Sequence, residues 1–446
     1  MRKSIVLSMA LILAMVFMVG TAVEAVYLPD DFSGTEIDVY MVAERRAEMV
    51  SDFKHEFEEE TGITVNINTL PYPNLQEVQF IELAMGEGPD VIHVDQVWLG
   101  QYEDYLEPIQ RFIDDPDLTD KEQLDLDDFH PTILDLQTSY RDELLGFPFI
   151  GAIRMIYYRT DLFEEYADDY YEETGMELDV PDTWLEYKEI ARFFEENVEG
   201  VHGTTIMGRR GVQLYCDVMP ILWSFGGSVI EGPEGQPAIE EMEGIRPNIN
   251  SPESIEALEF FNSLSEYASP GITDWDWDES ANAFAQGNAA LAMQWNNAAP
   301  VFAGEDSEIR GDWEAAIVPG MSENDGIIRE ALLGGWTLGV NANSPNQEAA
   351  YLFTKWVTSK EMEINLAPGG GNARESTFTD PELSEEYIHY EATFESYDIA
   401  RSRPRIPQLT EIADISQTAF SRILTGEQEV VEALNNAQDQ LEELDL

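Results

Sequence analysis

LGGWTLGVNANSPNQEAAYLFTKWVTSKE, residues 333–361, encodes a strand, a turn and a helix, with a tryptophan delivered to the strand by two glycines. Gly334 and Gly335 allow either a sharp bend or a close approach of the backbone to another group. Residues 338–340 then read as a strand. Ser344 is a good N-cap, Pro345 suits the first helical position, and Gln347 sits where a capping-box partner belongs. Ala349, Leu352, Phe353, Trp356 and Val357 follow at helical spacing and form one apolar face. A strand followed by an amphipathic helix is the repeating unit of an α/β sheet, and Trp336 stands at its mouth.

Outward from this unit the same alternation recurs. Residues 36–42 read as a strand and residues 46–60 as an amphipathic helix carrying Met49, Phe53 and Phe57, closed by Gly62. Residues 63–67 alternate as a second strand. Residues 78–85 form a helix broken at Gly88-Pro89, and the apolar run 90–94 fits a buried strand. This β-α-β-α-β order predicts a doubly wound sheet, with ligands expected outside the carboxyl ends of its strands. Those ends are Glu44-Arg45, Pro71-Tyr72 and Asp95. Residues 147–158 read as an extended crossing into a second lobe, where residues 181–194 open a helix. Residues 281–295 give a helix, a Gly287 turn and a strand ending at Trp295. The chain is expected to cross back near 317–319, and Gly369–Gly371 marks a further break before a helical C-terminus.

The chain of 446 residues is long enough for two or three lobes. Its 43% hydrophobic content and nine tryptophans exclude a disordered acidic protein in spite of a net charge of −64. The 88 acidic residues are spread along the whole chain, and only six of the 24 basic residues are lysines. A uniform acidic surface points to solvation at high salt, where a Debye length of about 3 Å near 1 M screens self-repulsion. We therefore expect a halophile's protein. Nucleic acid is excluded as a partner, because phosphate binding needs a basic footprint. Residues 1–25 carry Arg2-Lys3, an apolar run from Ile5 to Val19 and a small-residue end at Val23 and Ala25, the pattern of a cleavable secretory signal. The run is short for a membrane span, and no cysteine stands near the cleavage point to take a lipid. The single cysteine, Cys216, reads as a small buried hydrophobe.

Seven segments in order resemble a family-1 extracellular solute-binding protein of an ABC importer, the group that includes maltose-binding protein. They are FEEETGITVNI (57–67), LAMGEGPDVIHVDQVWLGQYEDYLEPI (83–109), GFPFIGAIRMIYYRTDLF (146–163), PDTWLEYKEIARFF (181–194), FAQGNAALAMQW (284–295), the opening stretch, and the run from Ala400 that begins ARSRPRIPQLTEI. PGGGNAR and RPRIPQ look most similar to the binders of sugars and sugar alcohols. The resemblance implies a two-lobe α/β periplasmic-binding-protein fold (type II), each lobe a doubly wound sheet flanked by helices, joined by crossing hinge segments. Residues 26–152 and 317–368 would form the N-terminal lobe, and residues 153–316 and 369–446 the C-terminal one. It also implies a carbohydrate caught in the cleft, closure on binding, delivery to the permease subunits, and a monomer that is secreted, periplasmic or held at the cell surface.

Sugars are held by flat aromatic faces with a few placed polar groups, and a carboxylate accepting from hydroxyls makes charge-assisted bonds. On that chemistry and the resemblance, the candidate ligand-binding residues are Glu44, Arg45, Asp95, Trp98, Arg210, Trp277, Trp295, Trp336 and Arg374. Asp95 could equally cap a following helix, and Trp336 could equally pack in the core. Arg374, after three glycines, could fork onto two vicinal hydroxyls. No cofactor, metal or catalytic residue is expected. Asp274, Asp276 and Asp278 have calcium-loop spacing, but Glu279 and Ala285 stand where the loop needs Gly and Glu. The five histidines show no metal spacing, and nucleophile-elbow and phosphate-loop motifs are absent. A secreted glycoside-active enzyme and a binder of a cationic solute such as a polyamine are the alternatives. The tryptophan placement argues against the second. On dilution into low-salt buffer the protein is expected to lose its helical far-UV circular dichroism; an unchanged spectrum would count against high-salt solvation as the reason for the charge.

Overall fold

The computed structural model describes residues 26–446 except 30, 31, 238, 241, 242, 324, 325 and 445. The export signal expected over residues 1–25 lies outside the described residues. Strands β1 (Glu36–Val42), β2 (Thr64–Leu70), β3 (Val91–Asp95) and β4 (Phe147–Ile150) belong to a first sheet. Strands β5 (Arg154–Arg159), β6 (Leu291–Trp295) and β7 (Trp313–Ala316) form a second, and β8 (Trp336–Val340) returns to the first. The spatial orders are β2-β1-β3-β8-β4 and β6-β5-β7.

The first sheet is mixed. β1 pairs parallel with β2 and β3, as the β-α-β-α-β pattern requires, whereas β8 lies antiparallel between β3 and β4. Every residue of β3 and β8 is buried, which is why both read as continuous apolar runs rather than alternating ones. β5 pairs antiparallel with both neighbours in the second sheet. The extended crossing expected over 147–158 is thus two strands, β4 in one sheet and β5 in the other, separated by residues 151–153.

Helix α1 (Arg45–Thr61) joins β1 to β2 and ends at Gly62 in the left-handed conformation, φ 73°. α2 (Tyr72–Ala84) leads from β2 toward β3 and starts six residues earlier than its apolar spacing suggested, with Pro73 within its first turn. α3 (Val212–Ser224) and α4 (Trp277–Ala285) pack on the second-sheet side. α4 is closed at its start by a reciprocal Asp276–Glu279 capping box. α5 (Gln347–Val357) buries the face Ala349, Leu352, Phe353, Trp356 and Val357, as its spacing requires. Its cap differs from expectation. The N-cap is Asn346, without a side-chain cap bond, and Ser344 instead accepts from the Asn346 N–H at 2.9 Å and bonds Asp90 at 2.5 Å. The serine's hydroxyl proton goes to a tertiary partner just before β3, while its oxygen serves the turn that precedes α5.

One buried ion pair ties these pieces together. Arg46, in the first turn of α1, pairs with Glu363 and donates to the carbonyls of Leu366 and Gly370. Glu363 in turn accepts from Asn372 Nδ2 at 2.9 Å and from the Ala373 N–H at 3.2 Å. Both ionic side chains are fully buried. Replacing one member leaves a buried charge without its partner, so Glu363→Ala should lower unfolding stability by about 3–5 kcal/mol, read from urea denaturation. Unchanged stability would show that the pair is dispensable.

Candidate ligand-binding cleft

β3 and β8 pair in a register that sets Trp336 directly opposite Asp95. Both therefore emerge at the same end of the first sheet, where residues from the second sheet face them across a cavity of about 700 Å³. Glu44, Arg45, Asp95 and Trp336 line it from the first-sheet side, with Trp277 and Trp295 opposite.

Asp95 performs both roles open to it in sequence. One carboxylate oxygen accepts from the Val97 N–H and caps the short helical turn Gln96–Trp98. The other accepts from the Tyr72 hydroxyl at 3.0 Å. Arg403 approaches the same carboxylate at 3.4 Å. Burial pushes the Asp95 carboxyl above its usual pKa, against the pull of Arg403. The Arg403 pair is long for a charge-assisted bond, and Arg403 Nε is buried with no hydrogen-bond partner among the described residues.

Trp336 is 8% exposed. Its ring sits edge to face with Tyr72 and Trp98, at centroid distances of 5.6 and 5.3 Å, and 4.7 Å from His93. It is held by core packing and still contributes a surface to the cavity. Trp98 is 3% exposed, does not reach the cavity, and buttresses Tyr72 and Trp336 from behind.

The paired glycines before Trp336 serve close approach rather than a left-handed turn, since neither has positive φ. A Cβ on Gly334 would lie 2.4 Å from the Trp295 ring of the facing sheet. A Cβ on Gly335 would lie 1.7 Å from Gln137, whose amide donates to the Trp336 carbonyl at 2.7 Å. Trp295 is fixed further by donating its indole N–H to Gln213 at 2.9 Å and by the Arg154 guanidinium beside its ring. Arg154 is buried against Asp217, whose pKa burial raises to about 6.

Two arginines expected here are placed elsewhere. Arg374 was expected to face Trp336 from the other lobe. Its guanidinium is instead buried on the first-sheet side, donating to the carbonyls of Leu124, Asp125 and Thr358, pairing with Asp128 at 3.1 Å and covering the Phe129 ring. Those partners take four of its five donors. Arg210 points to the surface and pairs with Asp414 at 2.7 Å; its neighbour Arg209 lines the cavity, pairing with Asp276 at 2.6 Å. That pairing and the helix cap engage Asp276 of the acidic run. Among the described residues no group of three or more His, Cys, Asp or Glu is placed to hold a metal ion.

Tyr72, pointed to only as a strand end, lines the cavity too, as do Arg403, Gln213 and Asn297, which sequence reading did not single out as binding residues. The signal for Arg403 was present: three arginines within Arg401–Arg405 in a chain with 24 basic residues, in a segment already marked by resemblance. Cys216 lines the cavity as well, its thiol pushed up to about 11 by burial.

This geometry accords with what the chain is similar to. Its residues 40–364 match the model of the family described as bacterial extracellular solute-binding protein, and the chain belongs to that family. Its members bind solutes and are not enzymes. An ABC-transporter solute-binding protein from Agrobacterium radiobacter K84, solved with ribitol, superposes with a TM-score of 0.79 at 26% identity, covering 93% of this chain and 99% of that one. Maltose-bound MalE3 of T. maritima gives 0.77 at 27% identity, covering 92% and 99%. A probable amino-acid ABC transporter periplasmic-binding protein of Sinorhizobium fredii is 24% identical over 80% of this chain and 77% of its own length. Among the described residues no helix is long and apolar enough to cross a membrane.

Gly334→Ala should displace the Trp295 ring and cost about 1–3 kcal/mol through overpacking. The expected readouts are a shifted tryptophan emission maximum and a lower urea midpoint. A variant with the parent's emission and stability would mean that the two walls do not touch at this point.

Proposed function

We propose that this solute-binding protein captures a neutral polyhydroxylated ligand, a sugar or sugar alcohol, between its two sheets and delivers it to the membrane permease of an ABC importer. The observation that carries this reading is the composition of the two walls. Trp277 and Trp295 offer indole surface on one side, and Trp336 stands on the other beside the Asp95–Arg403 acceptor–donor pair. Flat apolar faces with one strong acceptor and one strong donor suit the C–H faces and hydroxyl edges of such a ligand. The ribitol and maltose bound by the two structural relatives are of this class.

The transport cycle is closure driven by tighter binding of ligand to the closed state. The moving bodies are proposed as residues 26–152 with 317–368, and residues 153–316 with 369–446 apart from the segment around Arg374. The segment around Arg374 travels with the first body, because its bonds run to residues 124–128. The protein acts as an exported monomer, and its acidity serves solvation at high salt, as in a halophile.

An amino-acid ligand is the second reading, favoured by the opposite charges of Asp95 and Arg403, which could take an ammonium and a carboxylate, and by the name of the Sinorhizobium relative. Isothermal titration against ribitol, mannitol, maltose and a set of amino acids separates the two. Sugar or polyol binding without product formation is expected; tight amino-acid binding alone would overturn the carbohydrate reading. Trp277, the half-buried indole of the three, should be the simplest to remove. Trp277→Ala is expected to weaken carbohydrate affinity by about tenfold or more, roughly 1.4 kcal/mol, with the parent's far-UV spectrum.

A further inference from the structure

The cleft contains a second polar site, away from the Asp95–Arg403 pair, that the proposed function leaves unused. Glu44 is the N-cap residue of α1, yet its side chain makes no cap bond. It faces Asn297, which follows β6 on the opposite wall, and the Asn297 amide hydrogen-bonds the Glu44 carboxyl. Each residue nevertheless keeps one oxygen, Glu44 Oε1 and Asn297 Oδ1, buried with no hydrogen-bond partner among the described residues. A buried acceptor without a donor is costly, and native proteins rarely leave one unexplained. Two at one point of a ligand cavity, from opposite walls, mark a place that lacks donors.

The charged groups around Glu44 do not supply them. Arg46, next but one in the chain, is committed to Glu363 and to the carbonyls of Leu366 and Gly370. On the far wall Arg209 is paired with Asp276, and deeper in the cavity Arg403 faces Asp95. Arg45 is solvent-exposed, while Glu48 and Asp278 add only negative charge.

We propose that Glu44 and Asn297 form a proton-linked subsite across the cleft: protonated Glu44 supplies the missing donor in the empty protein, and a ligand hydroxyl replaces that proton on capture. The proton leaves the carboxyl for solvent as the carboxylate begins to accept from the hydroxyl, so no bond other than O–H is broken. The hydroxyl identity of the donor rests on the carbohydrate reading; the protonation of the empty cleft does not. The environment supports such a group. Burial raises the Glu44 pKa to about 7, with nearby Arg46 and the Asn297 amide opposing the rise. The sign follows. The ligand selects the anion, so affinity rises with pH through about 7, and each capture near that pH releases a fraction of a proton.

The first test uses the ligand-free protein. Tryptophan emission titrated from pH 5 to 9 should show a transition near neutrality that Glu44→Gln lacks. Asp217, which burial raises to a pKa of about 6, titrates in both proteins and cancels in the difference. Asn297→Asp, which sets a second carboxyl against the first, should move the transition to higher pH. Identical titrations of the parent and Glu44→Gln would overturn the proposal. The second test uses ribitol and maltose as probes, with calorimetry in two buffers of different ionisation enthalpy. Proton release on binding, lost in Glu44→Gln, is expected, and a probe that binds with no proton release would overturn the linkage. If neither probe binds while the ligand-free transition persists, the carbohydrate reading fails and the protonated cleft stands.

Discussion

The antiparallel register of β8 on β3 is the constraint on which the cleft depends. It sets Trp336 opposite Asp95, and from that pairing the other placements follow. Tyr72 reaches Asp95 from the start of α2, and Trp98 packs behind both aromatic rings. Arg403 arrives from a distant part of the chain. A slip of one residue would turn Trp336 to the other face of the sheet. The register is protected by burial of every residue in both strands, and by Gln137, which bonds the Trp336 carbonyl and fills the space beside Gly335.

The same stretch meets the opposite wall directly. Gly334 lies against the edge of the Trp295 ring, so the two sheets touch through a residue without a side chain. Trp295 is set by Gln213 and Arg154, and Arg154 by Asp217. Trp295 thus stands on a buried ion pair, and Trp336 on packed aromatic rings. Such supports limit the freedom of the rings before any ligand arrives, which lowers the ordering cost of binding.

In a chain with 88 acidic and 24 basic residues, where the arginines are placed is informative. Arg46, Arg154, Arg374 and Arg403 are buried, each against a carboxylate. A guanidinium offers five donors in a planar fork and can satisfy several buried acceptors at once. That explains why so many of the scarce cations lie inside while the exterior stays acidic. It also explains why Arg374 and Arg210 could not be told from Arg403 and Arg209 beforehand: all lie in basic, glycine- or proline-rich segments, and only their distant partners distinguish them.

Local pattern alone determined much of this protein. The strand and helix after Gly335, the β-α-β-α-β order of the first sheet, Gly62 as a helix end and the apolar face of α5 all depend on neighbours within a few residues, where periodicity and turn chemistry act. The gathering of Glu44, Arg45, Asp95, Trp277, Trp295 and Trp336 was legible only as far as the ends of strands and the resemblance pointed to them. Tertiary structure decided the rest. It tied the Ser344 hydroxyl to Asp90 and left Asn346 as the N-cap of α5, spent Arg374 on carbonyls near residue 125, kept Trp98 behind the wall, and brought Arg403 and Asn297 into the cavity. Those outcomes turn on hydrogen bonds and close contacts between residues far apart in the chain, and sequence spacing carries no record of such distances.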